Sequence, residues 1–147
     1  SRYTPVMAFL SAQDEQAVRN EFAKLAGPVK LTVFASELGP ETNGRTVALV
    51  KEVAALSDKL SVEILNPFID KERAAAYGVE VTPAVVVEGA EDYGIRFLGL
   101  PGGYEFANLI DSILVASSAT PGLSEATQTA LAGLQSNVTI KVFTTPT

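Results

Sequence analysis

The stretch VKLTVFASELGPETNGRT, residues 29–46, sets the reading of the whole chain. Its first seven residues (29–35) alternate and are rich in β-branched side chains, the pattern of a strand. Gly39-Pro40 interrupts that pattern. Val47, Leu49, Val50, Val53, Ala54 and Leu56 then recur at three- and four-residue intervals, so residues 45–57 read as an amphipathic helix. Between strand and helix lies a loop carrying Pro40, Glu41, Thr42 and Asn43. The local order is strand, loop, helix.

The pattern continues on both sides. Upstream, Val18, Phe22 and Leu25 share one face of a helix over 12–25, which Gly27-Pro28 stops. Downstream come a strand at 61–65, a short helix at 70–77 closed by Gly78, and strands at 84–87 and 93–98 joined as a hairpin by residues 88–92. Pro83, directly before Ala-Val-Val-Val, has no N–H to give a ladder and belongs at a strand's first residue. Residues 99–103 (GLPGG) lack the glycine spacing of a phosphate loop and read as a tight strand-to-helix turn into a helix over 105–116. The order α-β-α-β-α-β-β-α predicts an α/β domain with a mixed central sheet and helices on both faces.

Composition narrows function by exclusion. The 147 residues are 47% hydrophobic and 19% charged, enough for one domain with its own core, or one domain and part of another. A net charge of −6 with scattered basic residues argues against nucleic acid as a partner. The chain has no His and no Cys, which rules out a Ser-His-Asp triad, a thiolate nucleophile and an ordinary zinc site. The carboxylate pairs Asp14-Glu15 and Glu91-Asp92 read as solvated surface charge, so no catalytic, cofactor or metal residue is assigned. No apolar run approaches the ~18–20 residues of a membrane span, and no secretory leader is evident. A cytoplasmic, soluble protein is expected. Met7 is the only methionine, so residues 1–11 are expected to be a tag remnant, with Ser1–Val6 preceding the natural start, or a flexible N-terminus.

Residues 117–122 (SSATPG) are composed like a linker, and the chain beyond them repeats its own beginning. EATQTALAGLQSNVTIKVF (125–143) lies over QAVRNEFAKLAGPVKLTVF (16–34) without a gap, with six identities: Ala17/Ala126, Ala23/Ala132, Leu25/Leu134, Val29/Val138, Val33/Val142 and Phe34/Phe143. Two unrelated helix–strand pairs could match as well; the shared helix, breaker and alternating strand favour a true repeat. The expected division is therefore one complete unit over 12–117, a linker over 118–123, and the first helix and strand of a second unit over 124–147. Val138, Ile140 and Val142 would form an apolar face that so short a piece cannot bury alone. Residues 124–143 are expected to dock on the first unit's sheet or to pair with another copy in a homodimer.

Strand–loop–helix followed by Thr82-Pro83 and a hairpin resembles the skeleton of the thioredoxin/glutaredoxin fold. More specifically, YGIRFLGLPGGYEF (93–106) and ALSDKLSVEI (55–64) resemble tandem-unit protein disulfide oxidoreductases and the N-terminal region of the alkyl hydroperoxide reductase flavoprotein subunit. The resemblance runs from about Ala12 onward. It implies a thioredoxin-like three-layer α/β/α sandwich, a cis peptide bond at Thr82-Pro83, and two units in tandem. It further implies that Pro40, Glu41, Thr42 and Asn43 stand where the first unit's C-x-x-C would be. Disulfide exchange needs a thiolate, so this unit is expected to be redox-silent. In both families the second unit's strand leads through a Thr-Pro turn into a C-x-x-C, and Phe143-Thr144-Thr145-Pro146-Thr147 matches that turn. The expected function is the non-catalytic first unit of a two-unit thiol–disulfide oxidoreductase whose C-x-x-C would follow Thr147. The alternative is an adaptor domain docking a protein partner: a peroxiredoxin, a flavoprotein reductase or a disulfide substrate.

Overall fold

The computed structural model describes residues 8–144. Ser1–Val6 with Met7, and the Thr145–Thr147 end of the Thr-Pro turn, lie outside the described residues.

Helix α1 (Ala12–Phe22) begins at Ser11, whose Oγ accepts from the Asp14 backbone N–H at 3.1 Å. It leads into β1 (Val29–Phe34), α2 (Glu41–Ala54), β2 (Leu60–Leu65), α3 (Lys71–Ala76), the hairpin β3 (Ala84–Glu88) and β4 (Ile95–Leu98), α4 (Tyr104–Ser118) and α5 (Glu125–Ala132). Four strands form one mixed sheet in the order β2-β1-β3-β4. β1 runs parallel to β2, with Val29 opposite Leu60 and Phe34 opposite Leu65. β3 is antiparallel to both β1 and β4.

Alternation along β1 divides the core in two. On one face Leu31 and Val33, with Val85 and Val87 of β3, pack against α1, α2 and α4 through Phe22, Val50, Val53, Leu109 and Ile113. On the other, Phe34, Leu65 and Val86 pack with Ala74 of α3 and with Val79 just after it, and the Tyr77 ring meets Phe34 edge-on at 5.8 Å. This is the expected α/β/α arrangement. Beside α3 the sheet is covered by charge: Glu63 of β2 pairs with Lys30 of β1 and with Arg73 of α3. Hydrogen bonds from Arg73 and Lys30 hold the Glu63 carboxyl at a pKa of about 2. Arg96 likewise holds Asp92 at about 2 through paired contacts of 2.8 and 2.7 Å, while its Nε donates to the Tyr77 carbonyl.

Two expectations are corrected. Helix α2 begins at Glu41 rather than 45, with Pro40 as its N-cap, so Glu41, Thr42 and Asn43 form its first turn rather than a loop. Apolar spacing could not detect that turn because its residues are polar. At the other end, α5 forms but buries nothing, residues 118–144 are all exposed, and residues 138–143 make no strand. They do not dock on the first unit's sheet. A strand is defined by its ladder, and none of the four strands pairs with this segment.

Candidate functional site

The strand ends, not the helices, assemble the region of interest. Phe34 is opposite Leu65 on one side and opposite Ala84 on the other, and Ala84 is opposite Leu98. The chain therefore leaves the sheet at one common end through residues 35–40, 66–70 and 99–103, and enters β3 there through 80–83. The Ala35 N–H donates to the Leu65 carbonyl at 2.9 Å, and the Gly99 N–H to the Pro83 carbonyl at 2.8 Å, extending the sheet by one step. The 40–43 segment and Thr82-Pro83 thus come to the same end of the molecule. The Thr82-Pro83 peptide bond is cis.

The turn into α2 is tight. Ser36 is buried; its carbonyl accepts from the Gly39 N–H at 3.0 Å and its Oγ from the Leu38 N–H at 3.3 Å. Pro40 then has φ −54° and ψ 152°, and its carbonyl accepts from the Asn43 N–H at 2.9 Å. Pro40 and Glu41 are exposed, Thr42 is half-buried and Asn43 is buried. The Asn43 carboxamide has no hydrogen-bond partner at either Nδ2 or Oδ1. It lies against Gly39 so closely that a Cβ there would sit 2.0 Å from Nδ2. One turn on, Thr46 Oγ1 donates to the Thr42 carbonyl at 2.7 Å.

Two clefts open at this end. One of about 340 Å³ is lined by Ala35, Ser36, Glu37, Asn43, Gly44, Val47, Lys51 and Ile64. The other, about 510 Å³, is lined by Pro67, Phe68, Lys71, Val79, Glu80 and Thr82. None of these side chains can act as a thiolate or an imidazole base. Among the described residues no group of three or more potential ligands could hold a metal ion, and no helix is long and apolar enough to cross a membrane. The sequence reading missed that Asn43 is buried. Its position was legible, since 43, 46, 50 and 53 continue the core-facing stripe of α2 by one turn. It also missed the open side chains of Leu38 and Phe68, for which a sequence carries no signal.

No family model matches the chain. A protein of Methanothermobacter marburgensis described as "Probable Thioredoxin" is 30% identical over 82 residues, which are 56% of this chain and 92% of that one. The chain belongs to the thioredoxin family. Among solved structures, this thioredoxin-fold chain is similar to the alkylhydroperoxide reductase protein AhpF of Enterococcus faecalis, at 26% identity and a TM-score of 0.79. The match covers 86% of this chain and 62% of that one. It is also similar to a protein disulfide oxidoreductase from Aeropyrum pernix, at 28% identity and a TM-score of 0.74, covering 84% of this chain and 55% of the other. The thioredoxin-fold chain thus spans only part of the two larger proteins it superposes on. Within its 147 residues there is no cysteine, and so no C-x-x-C.

Proposed function

We propose that this chain is the non-catalytic first thioredoxin-fold unit of a two-unit thiol–disulfide oxidoreductase, with the working C-x-x-C supplied by the second unit that residues 124–147 open. The observation that carries this reading is a thioredoxin fold whose 40–43 segment has no sulfur. Three further features support it: the repeat at 125–143, a helix α5 that forms where the repeat requires one, and similarity to two larger oxidoreductases. Under this reading Pro40 to Asn43 occupy the vacated motif and Thr82-Pro83 the loop facing it. Exposed Pro40 takes the place of an attacking cysteine, and buried Asn43 that of the resolving one. The unit over 12–117 then serves as scaffold, the linker over 118–123 joins it to the second unit, and the whole works in the cytoplasm.

Two measurements test this. The chain as it stands should reduce no disulfide, since no atom in it can form the mixed disulfide that exchange requires. Turnover of a dithiol-dependent disulfide assay above the buffer rate would overturn the reading. The double variant Pro40→Cys/Asn43→Cys should form an intramolecular disulfide and gain reductase activity, because residues three apart on a helix are neighbours. A matched pair on an exposed turn of α1, Gln13→Cys/Gln16→Cys, should gain none. Equal behaviour of the two pairs would dismiss 40–43 as a vacated site.

A second reading, the adaptor that docks a peroxiredoxin or flavoprotein, is favoured by the exposed apolar side chains around 38 and 68. Homodimerisation through residues 124–143 is a third component of the proposal. Its motive is that Val138, Ile140 and Val142 are open, and a concentration-independent monomer in sedimentation would remove it.

A further inference from the structure

SSATPG, residues 117–122, is composed like a linker but is built as a corner. The last turn of α4 is clamped to the unit. A Cβ on Gly89 would collide with the Ala116 carbonyl, and one on Gly27 would sit 3.2 Å from the Ser117 carbonyl oxygen. The Ala26 N–H donates to Ser117 Oγ at 3.3 Å, and Ser117 Oγ donates to the Leu114 carbonyl at 2.8 Å. The turn before β1 and the hairpin turn thus hold the end of α4 by close backbone approach.

Ala119 then turns the chain. Its φ of 53° and ψ of 24° are left-handed, and among the described residues it is the one non-glycine residue with positive φ. Every other positive φ in this unit falls on a glycine: Gly78, Gly94, Gly99 and Gly103. Glycine enters that region without steric cost, whereas the alanine Cβ crowds the following carbonyl. Alanine is also the residue that most favours continuing a helix. Three hydrogen bonds offset the strain. The Ala119 N–H donates to the Val115 carbonyl at 2.8 Å, the Thr120 N–H to Ser118 Oγ at 3.2 Å, and Thr120 Oγ1 to the Ser118 carbonyl at 3.2 Å. Pro121 fixes its own φ and disfavours the helical region for Thr120. On the far side Gln128 Nε2 donates to the Leu123 carbonyl at 2.9 Å, and Ser124 Oγ caps α5 by accepting from the Thr127 N–H at 3.2 Å. Residues 118–120 are therefore tied to α4 and residues 123–124 to α5. Ala119 and Gly122 are left as the pivots between them, and a Cβ on Gly122 would meet nothing within 4 Å.

We propose that Ala119 is a two-position joint that sets the direction in which residues 124–143 leave the first unit. In the position seen here Ala119 is left-handed and α4 stops at Ser118. In the other its φ lies near the helical value of about −63°. There α4 runs on to the barrier set by Pro121, and the segment beyond swings about the clamped end of the helix. Strain on one side and three hydrogen bonds on the other keep the two positions close in free energy. The use of the joint, to place a second unit, rests on reading 124–147 as the opening of that unit; the joint itself does not.

The absence of cysteine makes the test direct. Asp111→Cys on α4 and Thr129→Cys on α5 put a nitroxide pair on exposed positions of the full chain. Double electron–electron resonance then reads the distance across the joint, and two distance populations are expected. Ala119→Asn, which tolerates the left-handed region, should enrich one of them several-fold. Ala119→Val, with a branched Cβ, should enrich the other. Gly122→Ala stiffens the second pivot, and should sharpen both populations without changing their ratio. The Cα shift and the HN–Hα coupling of residue 119, measured without labels, should rank the left-handed fraction Asn above Ala above Val. These changes fall on exposed residues, and an unchanged urea midpoint verifies that the unit is folded. One broad distribution common to all four proteins would make the segment a free tether. A single peak unmoved in Ala119→Val would place the stop of α4 in other residues. Either result overturns the proposal. Disulfide reduction by the unaltered chain would instead overturn the non-catalytic reading, and has no bearing on these distances.

Discussion

Asn43 and Gly39 are coupled by geometry that neither residue's own properties reveal. The amide of Asn43 occupies the space a side chain at 39 would need. Gly39→Ala should therefore destabilise the unit by about 1–3 kcal/mol, the usual range for overpacking. Asn43→Ala removes an amide with no partner and should cost less than about 1 kcal/mol, since the buried polar group it deletes was itself unfavourable. In the double variant the clash has no object, so the two changes should be non-additive by about 1 kcal/mol or more in urea unfolding. Additive losses would show that the two side chains do not share that space. Thr32 is a simpler case: its Oγ1 is fully buried on β1 without a partner. Thr32→Val keeps the shape and removes the orphaned hydroxyl, and should be neutral or stabilising by about 1 kcal/mol.

At the scale of elements, β2, β1 and α3 are joined by Glu63, Lys30 and Arg73. The Glu63 pKa is lowered from 4.5 to about 2, and that of Asp92 beside Arg96 from 3.8 to about 2. A carboxyl with a depressed folded-state pKa contributes stability that is complete above its unfolded value and is lost as pH falls toward the folded one. The urea midpoint should thus be flat above about pH 5.5 and fall between about pH 5 and 2. Glu63→Gln should flatten part of that fall. These groups are about a third open to solvent, so 0.5 M salt should shrink the effect. A midpoint that rises on acidification would contradict the pairing. The α5 segment behaves oppositely, because it contributes no burial. Truncation after Ala119 should leave the urea midpoint unchanged, and amides of residues 136–144 should exchange without protection.

For the molecule as a whole, the two stretches that align in sequence, residues 16–34 and 125–143, are the most instructive contrast. Val33 is 0% exposed and its counterpart Val142 is 79% exposed, although the two lie in closely similar local sequence. The pattern that specifies a strand is present in both, but only one has neighbours to pair with. Element order and type were legible throughout residues 12–118, including the hairpin and the tight turn after β4. The start of α2 was not, because a polar first turn gives no apolar rhythm, and the burial of Asn43 follows only once the helix is extended back by that turn. The grouping of residues around 38, 68, 81 and 104 was equally hidden. It depends on strand pairing between residues far apart in sequence, such as Phe34 and Ala84.

The sequence by itself determined two things: an α/β alternation that folds as a mixed sheet, and that none of these 147 residues is a cysteine. Both are local facts, fixed by which side chains exist and how they are spaced. Only the tertiary structure decided that the 40–43 segment, the cis Thr82-Pro83 bond and the open hydrophobics come to one end of the sheet. Strand register and direction set that end, and they follow from packing across the whole core.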